Sequence, residues 1–129
     1  MRQFRPGPDT ARWITLDGKK IPFGPQLLFV AEQMEELVVS AEICEDVWSP
    51  IPPSTLAARE GATVIVNCSA SDETIGKAAY RESLIEGQSA RLICGYIYAN
   101  AGEGESTTDL VFGGHNIIAE NGTCLLYTS

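Results

Sequence analysis

Three short runs of strand-forming residues, ELVVSAEIC (36–44), TVIVN (63–67) and GYIYAN (95–100), alternate with two segments of helical pattern. No other feature constrains the fold as much. Runs rich in Val, Ile and Tyr suit a pleated sheet. Strands interleaved with helices predict an α/β layered domain, because parallel strands need a long crossover between them. The 129 residues suffice for one such domain. A hydrophobic content of 44% beside 20% charged residues is that of a chain with a packed core, which argues against disorder.

The remaining segments fill in around this alternation. RWITLDGKKIPFG (12–24) predicts a short strand, a turn at Asp17-Gly18 and a second loop closed by Pro22 and Gly24. QLLFVA (26–31) suits a buried strand. Pro50, Pro52 and Pro53 forbid regular structure in SPIPPS; Ser54 then offers an N-cap for TLAAREGA, with Gly61 as its stop. CSASDETIG is a polar loop leading into a helix from about Lys77 to Cys94, which Gly87 weakens. LVFGGHNIIAENGT predicts two short strands joined at Gly113-Gly114 and ended by an Asn-Gly turn. The lead-in MRQFRPGPDT is irregular and carries no apolar stretch of a secretory signal.

Charge and cysteine use narrow the function classes. A net charge of −8 with nine basic residues argues against a nucleic-acid partner, which needs clustered Lys and Arg. The longest apolar runs fall far short of the roughly 20 residues that cross a bilayer, so no membrane partner is expected. Cys44, Cys68, Cys94 and Cys124 form no C-x-x-C pair and no zinc signature, so no metal is expected either. Without a secretory context they are expected to be reduced thiols in a cytoplasmic protein.

Two locations could carry chemistry. Cys44 ends a strand run, where an α/β sheet presents functional groups to a crevice. A thiol there needs an activating base or cation, and the adjacent Glu45 and Asp46 supply neither. As a small hydrophobe Cys44 could equally be a buried filler. The lone His115 is the candidate partner for a Cys–His hydrolase, or else a structural histidine. The loop NCSASDETIGK offers Ser69, Ser71 and Lys77, whose hydroxyls and ammonium could hold the carboxylate of an amino-acid ligand. Alternatively the serines cap the following helix and Lys77 is solvated.

The segments DGKKIPFG, EICEDVWSPIPPS, GATVIVNCSASDETIGKAAYRESL and QSARLICGYIYANAGEGESTTDLVFGGHNIIAENGT, in this order, together resemble the glutaminase domain of glutamine-dependent NAD synthetases. That domain is a branch of the nitrilase, or carbon–nitrogen hydrolase, superfamily. The resemblance runs to about Thr123 and implies a partial nitrilase-type αββα sandwich: a mixed sheet with helices on one face. It implies that Cys44 is the nucleophile and that Glu45, Ser71 and Lys77 contact the substrate, L-glutamine. His115 has no catalytic part in that scheme.

The same resemblance implies that ammonia passes to a downstream synthetase domain. That domain would use ATP with magnesium and deamido-NAD, and the full-length enzyme would be a homo-oligomer; this domain itself would hold no cofactor. The chain also departs from the family. The catalytic glutamate and lysine of the family fall upstream of the matched region, so the chain alone is expected to be inactive. Met1 would then be an internal methionine. CLLYTS resembles translated adapter sequence, so the domain is expected at 1–123 and a non-native tail at 124–129. The alternatives are a segment of another nitrilase-like amidase and a non-catalytic binding or assembly module.

Overall fold

The computed structural model describes residues 7–105 and 108–128; the first six residues of the lead-in, and residues 106 and 107 of the Gly-rich loop, lie outside them. An antiparallel hairpin, β1 (Arg12–Leu16) and β2 (Lys19–Phe23), stands apart from the main sheet. The sheet has six strands in chain order: β3 (Phe29–Ala31), β4 (Met34–Ile43), β5 (Val64–Ser69), β6 (Gly95–Asn100), β7 (Ile117–Glu120) and β8 (Thr123–Tyr127). Strands β4, β5 and β6 run parallel, and the outer pairings are antiparallel, so the sheet is mixed.

Two helices make the parallel crossovers, α1 (Pro53–Arg59) between β4 and β5 and α2 (Lys77–Leu92) between β5 and β6. Sequential parallel strands joined by right-handed crossovers place both helices on one face. Accordingly α1 packs on β4 and on α2, while α2 lies across β6, β7 and β8. Among the described residues no helix is long and apolar enough to cross a membrane.

The strand register sorts the side chains into two faces of different character. Toward the helices lie the rows Ser40–Ile65–Tyr96–Ala119 and Glu42–Asn67–Tyr98–Ile117, every member buried. Ile85 of α2, fully buried, closes over them with Val47, Ala62 and Cys94. Burial pushes the Cys94 thiol up to about 11, so this cysteine is an inert filler. Away from the helices lie Ala41–Val66–Ile97–Ile118–Leu126 and Ile43–Cys68–Ala99, half-buried or exposed. Ile43 at 68% and Leu126 at 50% show how open this apolar face is.

Several local expectations are corrected. Residues 19–23 form strand β2 rather than a loop; Pro22 is tolerated because a two-stranded hairpin consists of edges. QLLFVA yields only the three-residue edge strand β3, with Phe29 and Val30 exposed. Helix α1 begins at Pro53 with Pro52 as its cap, since proline's fixed φ and missing N–H suit the first helical position. Ser54 is therefore inside the helix and buried. Helix α2 stops at Leu92, where Ile93 turns left-handed at φ 52°. The segment before Gly113-Gly114 contributes one bridge, Asp72 to Phe112, and no strand. The Asn-Gly turn does form, joining β7 to β8. Asn121 and Gly122 both have positive φ (48° and 84°), as a two-residue hairpin turn requires.

Candidate active site

Strand β4 ends at Ile43, and the next five residues, Cys44–Trp48, wind into a 3-10 turn. Cys44 stands at the junction with φ 52°, a left-handed conformation that costs a non-glycine residue about 1–3 kcal/mol. Neighbouring groups hold it there. The Asp46 carboxylate accepts the Ile43 N–H at 2.8 Å, and Ser49 returns its N–H and hydroxyl to the Asp46 carbonyl. From the adjacent strand, Asn67 brackets Cys44 itself. Its Oδ1 accepts the Cys44 N–H at 3.0 Å, and its Nδ2 donates to the Cys44 carbonyl at 3.3 Å.

The bracket is the end of a longer buried chain of hydrogen bonds. Asn67 also donates to the Tyr96 hydroxyl at 3.2 Å and accepts from Ser69 at 2.8 Å. The Tyr96 hydroxyl donates in turn to Glu42. Burial, and then the Glu42 charge, push the tyrosine pKa far above its usual value, so it remains a donor. The second Glu42 oxygen takes the Ser54 N–H at 2.8 Å, and Gln88 of α2 donates to the Ser54 hydroxyl at 2.9 Å. Strands β4, β5 and β6 and both helices are thereby tied to the Cys44 peptide.

Cys44 borders two clefts. One, of about 460 Å³, opens between the ends of β4, β5 and β6 and is walled by Cys68, Ala99 and Asn100. The other, of about 420 Å³, is lined by Cys44, Glu45, Trp48, Ser71, Asp72 and Lys77, with Ser49 and Ala70. Cys44, Glu45, Ser71 and Lys77, the four positions singled out in the sequence, thus meet around one cleft. Its wall is stiffened by Trp48 stacking on Tyr80 of α2, with ring centroids 5.2 Å apart. Lys77 is paired with Asp72 across the cleft mouth, and this hydrogen bond holds the Asp72 carboxyl below its usual range. The Cys44 N–H is committed to Asn67, so it is not a free oxyanion donor.

His115 does not pair with Cys44. It is buried, lines neither cleft, and its Nδ1 lies 2.9 Å from a guanidinium nitrogen of Arg81. Arginine is always a donor, so this nitrogen must be the unprotonated acceptor. Burial, and then the Arg81 charge, lower the His115 pKa from 6.5 against weaker upward pulls from Glu73 and Glu82. The folded chain therefore resists a proton that the unfolded chain accepts. Stability from neutral His115 is full above the unfolded pKa and is lost as pH falls through it toward the lowered folded value. Urea midpoints measured from about pH 7.5 to 5 should fall, and the fall should shrink in His115→Gln. An identical slope in that variant would remove His115 as the cause.

Asn67, Tyr96, Glu42 and Arg81 escaped the sequence reading. A polar residue ending the apolar run TVIVN, and Glu42 inside a strand run, were the available signals. Glu82, Glu86 and Cys124 place one ligand atom each within 4.8 Å of one another, the one such group among the described residues, and none of the three lines either Cys44 cleft.

Comparison with known proteins places the sequence and the fold among relatives. No protein-family model matches the chain. Over 124 residues it is 49% identical to the glutamine-dependent NAD(+) synthetase of Mycobacterium leprae, and 48% identical to that of Mycobacterium tuberculosis. These alignments cover 96% of this chain but 18% of each relative, so the chain spans under one fifth of their length. Among solved structures, a glutamine-dependent NAD(+) synthetase from Cytophaga hutchinsonii superposes with a TM-score of 0.74 at 29% identity. That match covers 92% of this chain and 18% of the other. A nitrilase-superfamily protein of Saccharomyces cerevisiae shares the fold, with a TM-score of 0.68 at 16% identity over 84% of this chain and 38% of its own. By sequence and by fold, this chain belongs with the glutamine-dependent NAD(+) synthetases, as a segment carrying part of a nitrilase-type domain.

Proposed function

We propose that this chain carries the nucleophile segment of a glutaminase that supplies ammonia for NAD synthesis. The observation that supports it most is the single cleft shared by Cys44, Glu45, Ser71 and Lys77, which come from two separate stretches of the sequence. In this reading the Cys44 thiolate adds to the side-chain amide carbon of L-glutamine. The C–N bond then breaks, the nitrogen takes a proton and leaves as ammonia, and a thioester remains. Water adds to the thioester and releases glutamate and the thiol. Ser71 and Lys77 hold the α-carboxylate, with Lys77 exchanging Asp72 for the ligand, and Glu45 faces the α-ammonium.

The ammonia would pass to a synthetase domain that uses ATP with magnesium and deamido-NAD. We place the parent enzyme in the cytoplasm, where the four free thiols would stay reduced, and expect a homo-oligomer. The glutamate base and the lysine that the family's chemistry calls for match no residue of this chain. Its own glutamate release from glutamine is therefore expected to lie orders of magnitude below that of a complete site.

The test uses a glutamine-shaped electrophile, L-2-amino-4-oxo-5-chloropentanoate, on the purified chain. The expected result is saturable alkylation of Cys44 in preference to Cys68, Cys94 and Cys124, slowed by L-glutamine and absent in Cys44→Ala. Non-saturable labelling shared with the exposed Cys68 would sink the reading. Glutamate release that disappears in Cys44→Ala would instead show a base within this chain.

A further inference from the structure

Arg81 projects from the second turn of α2 and has no exposed surface. Its Nη1 reaches His115 Nδ1 at 2.9 Å and the Glu73 carboxylate at 3.3 Å. Its Nη2 reaches the same carboxylate at 3.3 Å, the Ser71 hydroxyl oxygen at 3.3 Å and the Asp72 carbonyl at 3.5 Å. The Nε is buried with no partner among the described residues. Burying a guanidinium this way is expensive, and an apolar side chain of similar volume would fill the space at less cost. Stability alone does not explain the residue. What the arginine does is gather the loop 71–73 and the segment around His115 onto one planar fork.

The direction of one of these bonds matters for the cleft. A hydroxyl has one proton and two acceptor lone pairs. Arg81 can only donate, so Ser71 Oγ accepts from it and keeps its own proton for another partner. The Ser71 backbone N–H is already held by Asn100 Oδ1 at 2.8 Å, which fixes the residue against β6. Ser71 also lines the Cys44 cleft. A hydroxyl polarised from behind by a buried cation is a strong donor toward an anion and a poor acceptor for a cation.

We propose that Arg81 is a positioning and specificity-determining residue: held by His115 and Glu73, it fixes Ser71 as a hydrogen-bond donor that selects a carboxylate oxygen in the Cys44 cleft. This rests on the glutaminase reading for the identity of the carboxylate. His115 acts through Arg81 by offering a neutral acceptor that a protonated imidazole would withdraw.

The test again uses the full chain and L-2-amino-4-oxo-5-chloropentanoate, with iodoacetamide as a carboxylate-free control for Cys44 reactivity. His115→Phe removes the acceptor without touching the cleft, and His115→Gln restores one. The expected result is a half-saturation constant raised about 10-fold in His115→Phe, the size of one charge-assisted hydrogen bond. The maximal alkylation rate and the iodoacetamide rate should stay unchanged, and His115→Gln should remain within about 2-fold of wild type. Nitrogen NMR of wild-type His115 should show the neutral Nε2–H tautomer at pH 7, a readout that stands even if a variant fails to fold. A protonated Nδ1, or a His115→Phe chain that saturates like wild type, overturns the proposal. Wild-type labelling that never saturates sinks the glutaminase reading instead, and the carboxylate with it.

Discussion

Asn67→Ala is expected to lower the unfolding free energy by about 2–4 kcal/mol, measured by urea denaturation, and to slow chloroketone capture of Cys44. The magnitude follows from the number of groups stranded. The Asn67 amide bonds the Cys44 N–H, the Cys44 carbonyl, the Tyr96 hydroxyl and the Ser69 hydroxyl, and it is itself 1% exposed. Alanine leaves those partners in a site with little access to water, where an unmade hydrogen bond is more costly than a made one is favourable. It also removes the bracket that keeps Cys44 at φ 52°, so the backbone there is free to relax. Asn67→Asp retains the shape but loses the donor to the Cys44 carbonyl, and should be nearly as damaging. A loss under about 1 kcal/mol in both variants would mean that the Cys44 conformation is held by the 3-10 turn alone.

Ile85→Ala is expected to destabilise by about 2–5 kcal/mol, whereas Ile97→Ala should cost less than about 1 kcal/mol. Both remove the same atoms, and the difference lies in what surrounds them. Ile85 of α2 is fully buried against the sheet, where truncation leaves a cavity in the core that holds Tyr96, Tyr98 and Ile117. Ile97 points to the open side of the sheet and is 38% exposed, so truncation there removes little that was shielded from water. Thermal or urea unfolding of the two variants compares the faces directly. Equal losses would show that the open face is covered in solution.

The parallel centre of the sheet was legible because β4, β5 and β6 carry dense β-branched or aromatic runs that no helical pattern imitates. The hairpin at Asn121-Gly122 was legible because both of its φ angles are positive, a demand the Asn-Gly pair meets. Cys44 was placed correctly at a strand end, and its cleft partners Ser71 and Lys77 were named. Short-range rules failed where a distant group decided the outcome. Ser54 has the chemistry of a cap, yet its N–H is satisfied by Glu42 on β4, which frees Pro53 to open the helix. The Glu42–Tyr96–Asn67 chain was invisible because each link joins different strands. Arg81 looked like any polar residue on α2, since only the folded chain brings it against Ser71, Glu73 and His115.

The dispersal of that hydrogen-bond chain has a consequence for synthesis on the ribosome. Cys44 and its 3-10 turn emerge before Asn67 and Tyr96, the side chains on β5 and β6 that brace the cysteine peptide from outside the turn. Parallel pairing between strands separated by a helix is slow compared with helix formation, because the loop must close before any contact rewards it. Until Tyr96 has left the exit tunnel and β6 has joined the sheet, the Asn67 bracket around Cys44 lacks its hydrogen bond to the Tyr96 hydroxyl. The full restraint on the Cys44 peptide is therefore a late product of folding, and a nascent chain halted before residue 96 would lack part of it.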